Sequence, residues 1–455
     1  MQPPDGSRTG GDRNPFFGEG PTAAMFGRGP FASRREFLKV AVAAGGATAL
    51  SACLDRADDP PPAGVDDPDS LPARQHAWND RVRTDEHGNV LLPRHQVLLY
   101  LTLDGDGPPD ESARRTVESA LSTLDRAYER SNEGLLYSVG YSPRYFSRYD
   151  SPPAGVDLPE PRRLSEFETP EFDRQDALVH LASDRADVVL AADELLRGNR
   201  EEANGVAAEA ALTDAFTVGS RRTGFVGEGM PAERQNEVAG IPDGDPVPEA
   251  SPLFMGFIAG FRTNQATEDR VTIEDGPFAG GTTKHVSNIR QRLDDWYGEQ
   301  DRRARVMEMF SPLHADRDWV EGVGGNLGDD SRVEELPGDL RAQAREYGRI
   351  GHAQKAARAN RDADGSVRLL RRHFESTDDG VASLHFPSLQ RDLSTFEAVR
   401  EAMNGADLLD EPTIRQRVNN GILEYIFVKH RGNFLVPPRP LRALPTPDGE
   451  VPGLG

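Results

Sequence analysis

Two stretches of this chain repeat one order of strands and helices, and that repetition limits the folds open to it more than any other feature. In the first, His95 to Leu103 (HQVLLYLTL) is a β-type run. Val117, Leu121, Leu124 and Tyr128 then fall at helical spacing, which predicts an amphipathic helix over about 110–131. Leu135 to Tyr141 and Ala177 to Ala182 read as two further strands, and Ser183 or Asp184 can cap a following helix that carries Val188, Val189, Leu195 and Leu196. Strand, helix, strand, long connection, strand, helix is the order of a ferredoxin-like α+β domain. Residues 200–250, polar and rich in Gly and Pro, hold the change-over. The grammar then returns. Thr282 to Ile289 is a strand leading to a helix with Leu293 and Trp296, and Val381 to Leu389 is a strand followed by a helix over Ser394 to Met403. Ile422 to Val428 and Asn433 to Val436 are apolar segments before Pro437-Pro438. The domains expected are therefore 93–225 and 226–440, with a disordered tail over 441–455.

The N-terminal residues read as an address. Arg34-Arg35 precede Phe37-Leu38-Lys39 and a weakly apolar run from Val40 to Ala52, too short to span a bilayer. Paired Arg, an apolar run and small residues are the pattern of a twin-arginine export signal, which would make the twin-arginine translocase a partner. Leu50-Ser51-Ala52-Cys53 is similar to a lipobox, so Cys53 is the candidate lipidated residue and the protein is expected on the outer face of the cell membrane, held by that anchor alone. Met25 is an alternative start, because 1–24 are Pro/Gly-rich and lie far upstream of the Arg pair. Residues 54–92, with Asp-Asp-Pro-Pro-Pro and Asp-Asp-Pro-Asp, read as a disordered acidic linker.

Charge excludes one class of partner. Asp and Glu number 75 against 53 Lys and Arg, a formal charge of −22, which disfavours neutralising a nucleic-acid backbone. Lysine occurs only at 39, 284, 355 and 429. An acidic, lysine-poor surface suits high salt, where self-repulsion is screened. Cys53 is the only cysteine, so neither an intramolecular disulfide nor a cysteine-built zinc or iron–sulfur site can form.

Three weak motifs carry the chemistry. Gly240-Ile-Pro-Asp243-Gly244 is by itself a turn. Gly351-His352 sits in an Ala/Arg-rich segment, and a lone His is usually capped or exposed. Leu369-Leu370-Arg371-Arg372-His373-Phe374 is a paired Arg on a strand-like run. Asp243 precedes His352 by 109 positions and Arg371 follows it by 19. In order and spacing the set resembles the dye-decolourising peroxidases, haem enzymes with a GxxDG motif, a downstream haem-ligating His and an Arg soon after it. Flanking segments are similar too: Glu168 to Leu196, Leu384 to Leu393, and Leu423 to Pro438.

The resemblance implies two ferredoxin-like domains of the dimeric α+β barrel type, with antiparallel sheets, flanking helices and haem b held in the second. It implies that His352 is the axial ligand and metal-binding residue, that Asp243 is the distal proton-moving acid, and that Arg371 is the fixed cation where charge develops as the peroxide bond breaks. Hydrogen peroxide and a small organic or metal-linked reductant would be the substrates; a homo-oligomer is left open. The alternative is a haem-binding or iron-handling surface lipoprotein with little turnover. The chain departs from the family where Asp245-Pro246 follows Gly244, where no Asn-Pro follows His352, and at His373, two after the Arg. Among the other histidines, His285, on a candidate strand, is the rival ligand.

Overall fold

The computed structural model describes residues 59–336 and 339–450. Its first long strand explains its own composition. In β1 (His95–Leu103) nearly every side chain is buried, because the two faces serve different cores. Val97, Leu99, Leu101 and Leu103 pack under helices, while Leu98 and Tyr100 point to a small interior cluster with Leu178, Val286, Phe374 and Phe434. A strand covered on both faces needs a continuous apolar run, not alternation.

The first half runs β1, α1 (Glu111–Ala127), β2 (Leu136–Tyr141), β3 (Ala177–Ser183), α2 (Ala186–Leu196) and β4 (Phe216–Phe225). The sheet order is β4-β1-β3-β2, all antiparallel. The Asp110 carboxylate accepts from the Ala113 N–H and starts α1. The second half runs β5 (Thr282–Gln291), α3 (His352–Ala359), β6 (Leu370–Arg371), β7 (Phe374–Ser376), β8 (Ser383–Gln390), α4 (Leu393–Ala402) and β9 (Ile426–Val436). Its order is β9-β5-β8, with β6 and β7 both on the free edge of β8. Both halves are thus ferredoxin-like units, as expected.

Their edges join. Phe225 of β4 pairs with Glu375 of β7, and Tyr141 of β2 pairs with Leu435 of β9, so the two sheets close into one barrel. Closure removes the exposed edges of both sheets. The first seam requires Gly224, since a Cβ there would lie 2.3 Å from the Glu375 carbonyl oxygen.

Several expectations need correction. The linker expected over 54–92 is, from residue 59 onward, part of the fold. Trp78 is only 2% exposed, with the Arg372 guanidinium 4.5 Å from its ring centroid, and packs with Leu136 and Ala182. The Gln75 amide accepts from the Val139 N–H and donates to the Pro437 carbonyl, and the Trp78 and Asn79 N–H groups both donate to Glu268. A polar, proline-rich composition cannot reveal one aromatic anchor and side chains that substitute for ladder bonds. Likewise the tail expected disordered from 441 packs as far as 450. Leu444 is fully buried, and Arg442 and Arg439 pair with Asp125 beneath α1. The strand β4 lies inside the region assigned to the change-over. It is the polar, half-exposed run FTVGSRRTGF, held by pairing with β1 rather than by its own pattern. The apolar segments expected after 422 become a 3-10 turn (Gly421–Glu424) and the single strand β9, and neither Ser183 nor Asp184 caps α2: Arg185 holds the N-cap position and makes no side-chain capping bond. Arg34, Arg35 and Cys53 lie outside the described residues.

Candidate active site

His352 is the first residue of α3, and the chain holds that point from three sides. Gly351 precedes it in close contact with the Phe310 carbonyl, which a Cβ would meet at 1.9 Å. The Gly351 N–H donates to Gln354 Oε1 at 2.7 Å, closing the helix start. On the other flank the Ile350 N–H donates to the Asn419 carbonyl and the Gly421 N–H to the Ile350 carbonyl. Gly421 runs so close that a Cβ would sit 3.0 Å from His352 Cα. Lys355, one turn on and fully buried, donates to the Met403 and Asn420 carbonyls and to Asn420 Oδ1 at 2.8–2.9 Å, tying α3 to the end of α4.

These constraints place the His352 ring in the wall of a cavity of about 160 Å³. Met255, Phe257, Phe261, Phe310, Ala356 and Phe386 give it a largely apolar lining. Arg371, His373 and Glu375 enter from the facing strands β6–β7 at alternate positions, as the pleat demands. A second cleft of about 830 Å³ adjoins it and shares Leu253, Ile258 to Phe261, Arg371 and His373.

The electrostatics are unusual for so many polar groups. Burial, then the charges of Lys355 and Arg371, pull the His352 imidazole down to about 3, so the ring is neutral with a lone pair to offer. Its ring makes no hydrogen bond among the described residues. His373 is likewise pulled down to about 3 by burial and Arg371, and its Nδ1 has no partner. Arg371 remains a cation, although burial lowers it to about 10. Its guanidinium donates to Gln265 Oε1 and the Asn264 carbonyl, with no carboxylate paired to it among the described residues. A half-buried cation with no carboxylate partner among the described residues, beside two neutral imidazoles, suits an electron-rich or anionic ligand.

His352 and Arg371 are thus brought together. Asp243 is not. It is exposed and lines neither cavity. Val247 is buried and its N–H donates to Gln235, which pins the loop there and leaves 243–245 outside; the segment that reaches the cavity is Leu253–Asn264. His285 is a core residue. Its Nδ1 bonds to Asn433 at 2.7 Å and its Nε2 to Ser287 at 2.8 Å, and the ring stacks on Phe396 at 3.8 Å. With both nitrogens engaged it offers no lone pair. The residue that the motifs missed is Glu375, whose signal was the every-second-residue series Arg371, His373, Glu375.

A protein-family model described as a family of unknown function, DUF7405, matches residues 93–438. The chain belongs to that family. No curated protein matches it. Among solved structures it is similar to a putative DyP-type peroxidase from Shewanella oneidensis, at 16% identity and a TM-score of 0.50, covering 81% of this chain and 97% of that one. It is also similar to a dye-decolorizing peroxidase from Bacteroides thetaiotaomicron (14% identity, TM-score 0.49, 80% and 99% covered). A third is a variant of Rhodococcus jostii DypB in complex with heme (19%, 0.48, 82% and 99%). The DUF7405 chain therefore has the fold of DyP-type peroxidases, in a form far diverged in sequence.

Proposed function

We propose that this protein is a haem-dependent peroxidase, with His352 as the axial ligand of haem b, hydrogen peroxide as oxidant and an organic or metal-linked compound as reductant. The observation that carries this reading is the convergence of a neutral, unpartnered imidazole and an unpaired guanidinium on one largely apolar cavity. Those residues suit haem in their chemistry: Met255, Phe257, Phe261 and Phe386 offer apolar contact to a porphyrin, the 160 Å³ cavity adjoins the 830 Å³ cleft, and a half-buried imidazole with no hydrogen bond among the described residues lacks the partner that iron would supply. Bound there, haem would supply the redox centre for peroxide reduction.

The chain's own residues do the rest. The backbone at His352 is held by the close approaches at Gly351 and Gly421. Arg371, fixed by Gln265 and Asn264, keeps a positive charge beside the cavity, where negative charge grows on a departing oxygen. The apolar lining excludes bulk water, which strengthens that charge. The adjoining 830 Å³ cleft gives a reductant an approach beside Arg371 and His373.

A second reading, a haem-binding or iron-handling protein with little turnover, is favoured by the position of Asp243 outside the cavity. The test is the absorption spectrum of protein expressed with haem supply and kept in high salt. A Soret band that His352→Ala abolishes supports the site, and its presence in both proteins refutes it. Peroxide-dependent dye oxidation then separates turnover from storage. The export reading also stands as a proposal: Arg34 and Arg35 direct twin-arginine export and Cys53 carries the lipid that anchors the protein outside the cell. If Cys53→Ser still partitions with membranes, the anchor is elsewhere.

A further inference from the structure

Glu375 lies in the wall of this cavity with none of its side chain exposed to solvent and no cation paired to it among the described residues. Its Oε1 accepts from the Phe254 N–H at 3.0 Å, and both oxygens face Gln291 Nε2 at 3.1 and 2.9 Å. Each partner is a neutral amide. Every other deeply buried acid around the barrel has an arginine: Asp173 has Arg222, Glu168 has Arg431, Asp125 has Arg439 and Arg442. A buried carboxylate with only two amide donors and no counter-charge is costly, and taking up a proton removes the cost.

We propose that Glu375 is the acid of this site, held as a neutral carboxylic acid at neutral pH, and that its O–H positions the oxygen ligand in the cavity in place of the remote Asp243. The inference rests on the proposed peroxidase reading for the identity of that ligand, but not for the protonation state. The groups packed around Glu375 agree with it. From β5 comes the Gln291 amide, whose Oε1 has no partner. From the Leu253–Asn264 segment comes a peptide N–H. From the helix Leu293–Gly298 comes Tyr297, whose hydroxyl is spent on the Phe254 carbonyl. Arg371, on β6, and His373, between β6 and β7, line the same cavity but make no hydrogen bond or ion pair to the carboxyl among the described residues. Burial raises Glu375 to about 8 against the pull of its two amide donors.

With Glu375 protonated, a neutral carboxylic acid and the Arg371 cation line the same cavity, beside the buried His373 Nδ1, which has no partner among the described residues. An ionised Glu375 would instead repel the lone pairs that Arg371 attracts. A carboxyl on a sheet is also better fixed than one in the exposed 243–245 turn.

The protonation state is read in the haem-free protein by infrared difference spectroscopy. A protonated-carboxyl carbonyl band should be present at pH 7, disappear in Glu375→Gln, persist in Asp243→Asn, and titrate away as pH rises past about 8. Glu308 is also buried and raised to about 7, so both proteins carry Glu308→Gln to keep its band from interfering; absence of the band at pH 7, or a band that survives Glu375→Gln, then overturns the proposal. If that variant does not fold, Glu375→Asp decides, because the band must then change in frequency. The positioning role is read in the haem-loaded protein: Glu375→Leu should raise the peroxide KM about tenfold, the worth of one hydrogen bond, while Gln, still a donor, should restore most of it. An unchanged KM in the Leu variant overturns the positioning role. Failure to bind haem at all would instead count against the peroxidase reading and leave the infrared result standing.

Discussion

The two halves of the barrel share a topology and differ in what fills the connection after the first strand. In the N-terminal half, β1 passes to β2 through a single helix, α1. Its buried residues Val117, Ala120, Leu121 and Leu124 close over the sheet and seal that face, and the pocket of about 390 Å³ in this half lies elsewhere, against Arg144, Glu160 and Arg174. In the C-terminal half the corresponding connection runs from 292 to 369 as short helices, including Arg302–Met309, Leu340–Tyr347 and α3. Short helices end often, and each end brings backbone and polar side chains to the sheet. The consequence is a cavity that His352 enters from a helix start and Arg371 from a strand. One fold thus gives a sealed half and an open half, and the difference is made by one connection rather than by the sheets.

The largest expected effect lies in the open half. His352→Ala should lose haem retention altogether while its thermal unfolding stays close to the parent, because both sheets build the core without it. Spectroscopy after haem supply and a melting curve check both. If the open half depends on its ligand for structure, the melting point of the haem-free protein will fall as well.

Next is the plug shared with the sealed half. Trp78→Ala removes a buried indole that packs on Leu136 and Ala182, and should cost about 3–5 kcal/mol in denaturant unfolding. A cost near zero would mean that 59–92 is laid on the barrel and not part of its core.

Arg371→Leu should keep the haem spectrum and slow peroxide consumption about 10²–10³-fold in stopped flow, whereas Asp243→Ala should change it by less than about twofold. The reverse ranking would return the acid role to the exposed turn.

A remaining effect concerns the barrel interior, where the halves meet. Lys284 is buried, donates to Ser138 Oγ at 2.8 Å and has no carboxylate partner among the described residues. Burial, helped by Arg372, lowers it from 10.5 to about 7. Between those values the unfolded chain binds the proton and the native barrel does not, so stability is full above about 10.5 and falls as pH drops through about 7. His76 and His180, also in this interior, are pulled down in the same way and stay neutral over that range. Urea unfolding from pH 10 to 7 should therefore show a decline in the parent that Lys284→Met flattens.

Much of this is legible in the sequence. Apolar runs announce β1, β2 and β3 because strands buried on both faces leave a continuous apolar composition, spacing announces α1 because one stripe of it is covered, and β5 and β8, buried but largely polar, are announced only by the helices that follow them. His352 and Arg371 were legible only as a spaced set, since neither has a local pattern of its own. β4 was not legible: its residues are polar, and its strand state comes from ladder bonds to β1.

The amino-acid sequence alone determined the two-fold recurrence of strand and helix and the absence of any cysteine-built site, because composition and spacing record burial and chemistry along the chain, while the pairing of His352 with Arg371 was implied only by the resemblance to the dye-decolourising peroxidases. Only the tertiary structure decided that the two sheets close into one barrel, that Trp78 belongs to it, and that Glu375 rather than Asp243 faces His352's cavity. Those outcomes depend on which strand edges meet and where a loop is pinned. Such contacts join residues far apart in the chain, where no local pattern can carry them.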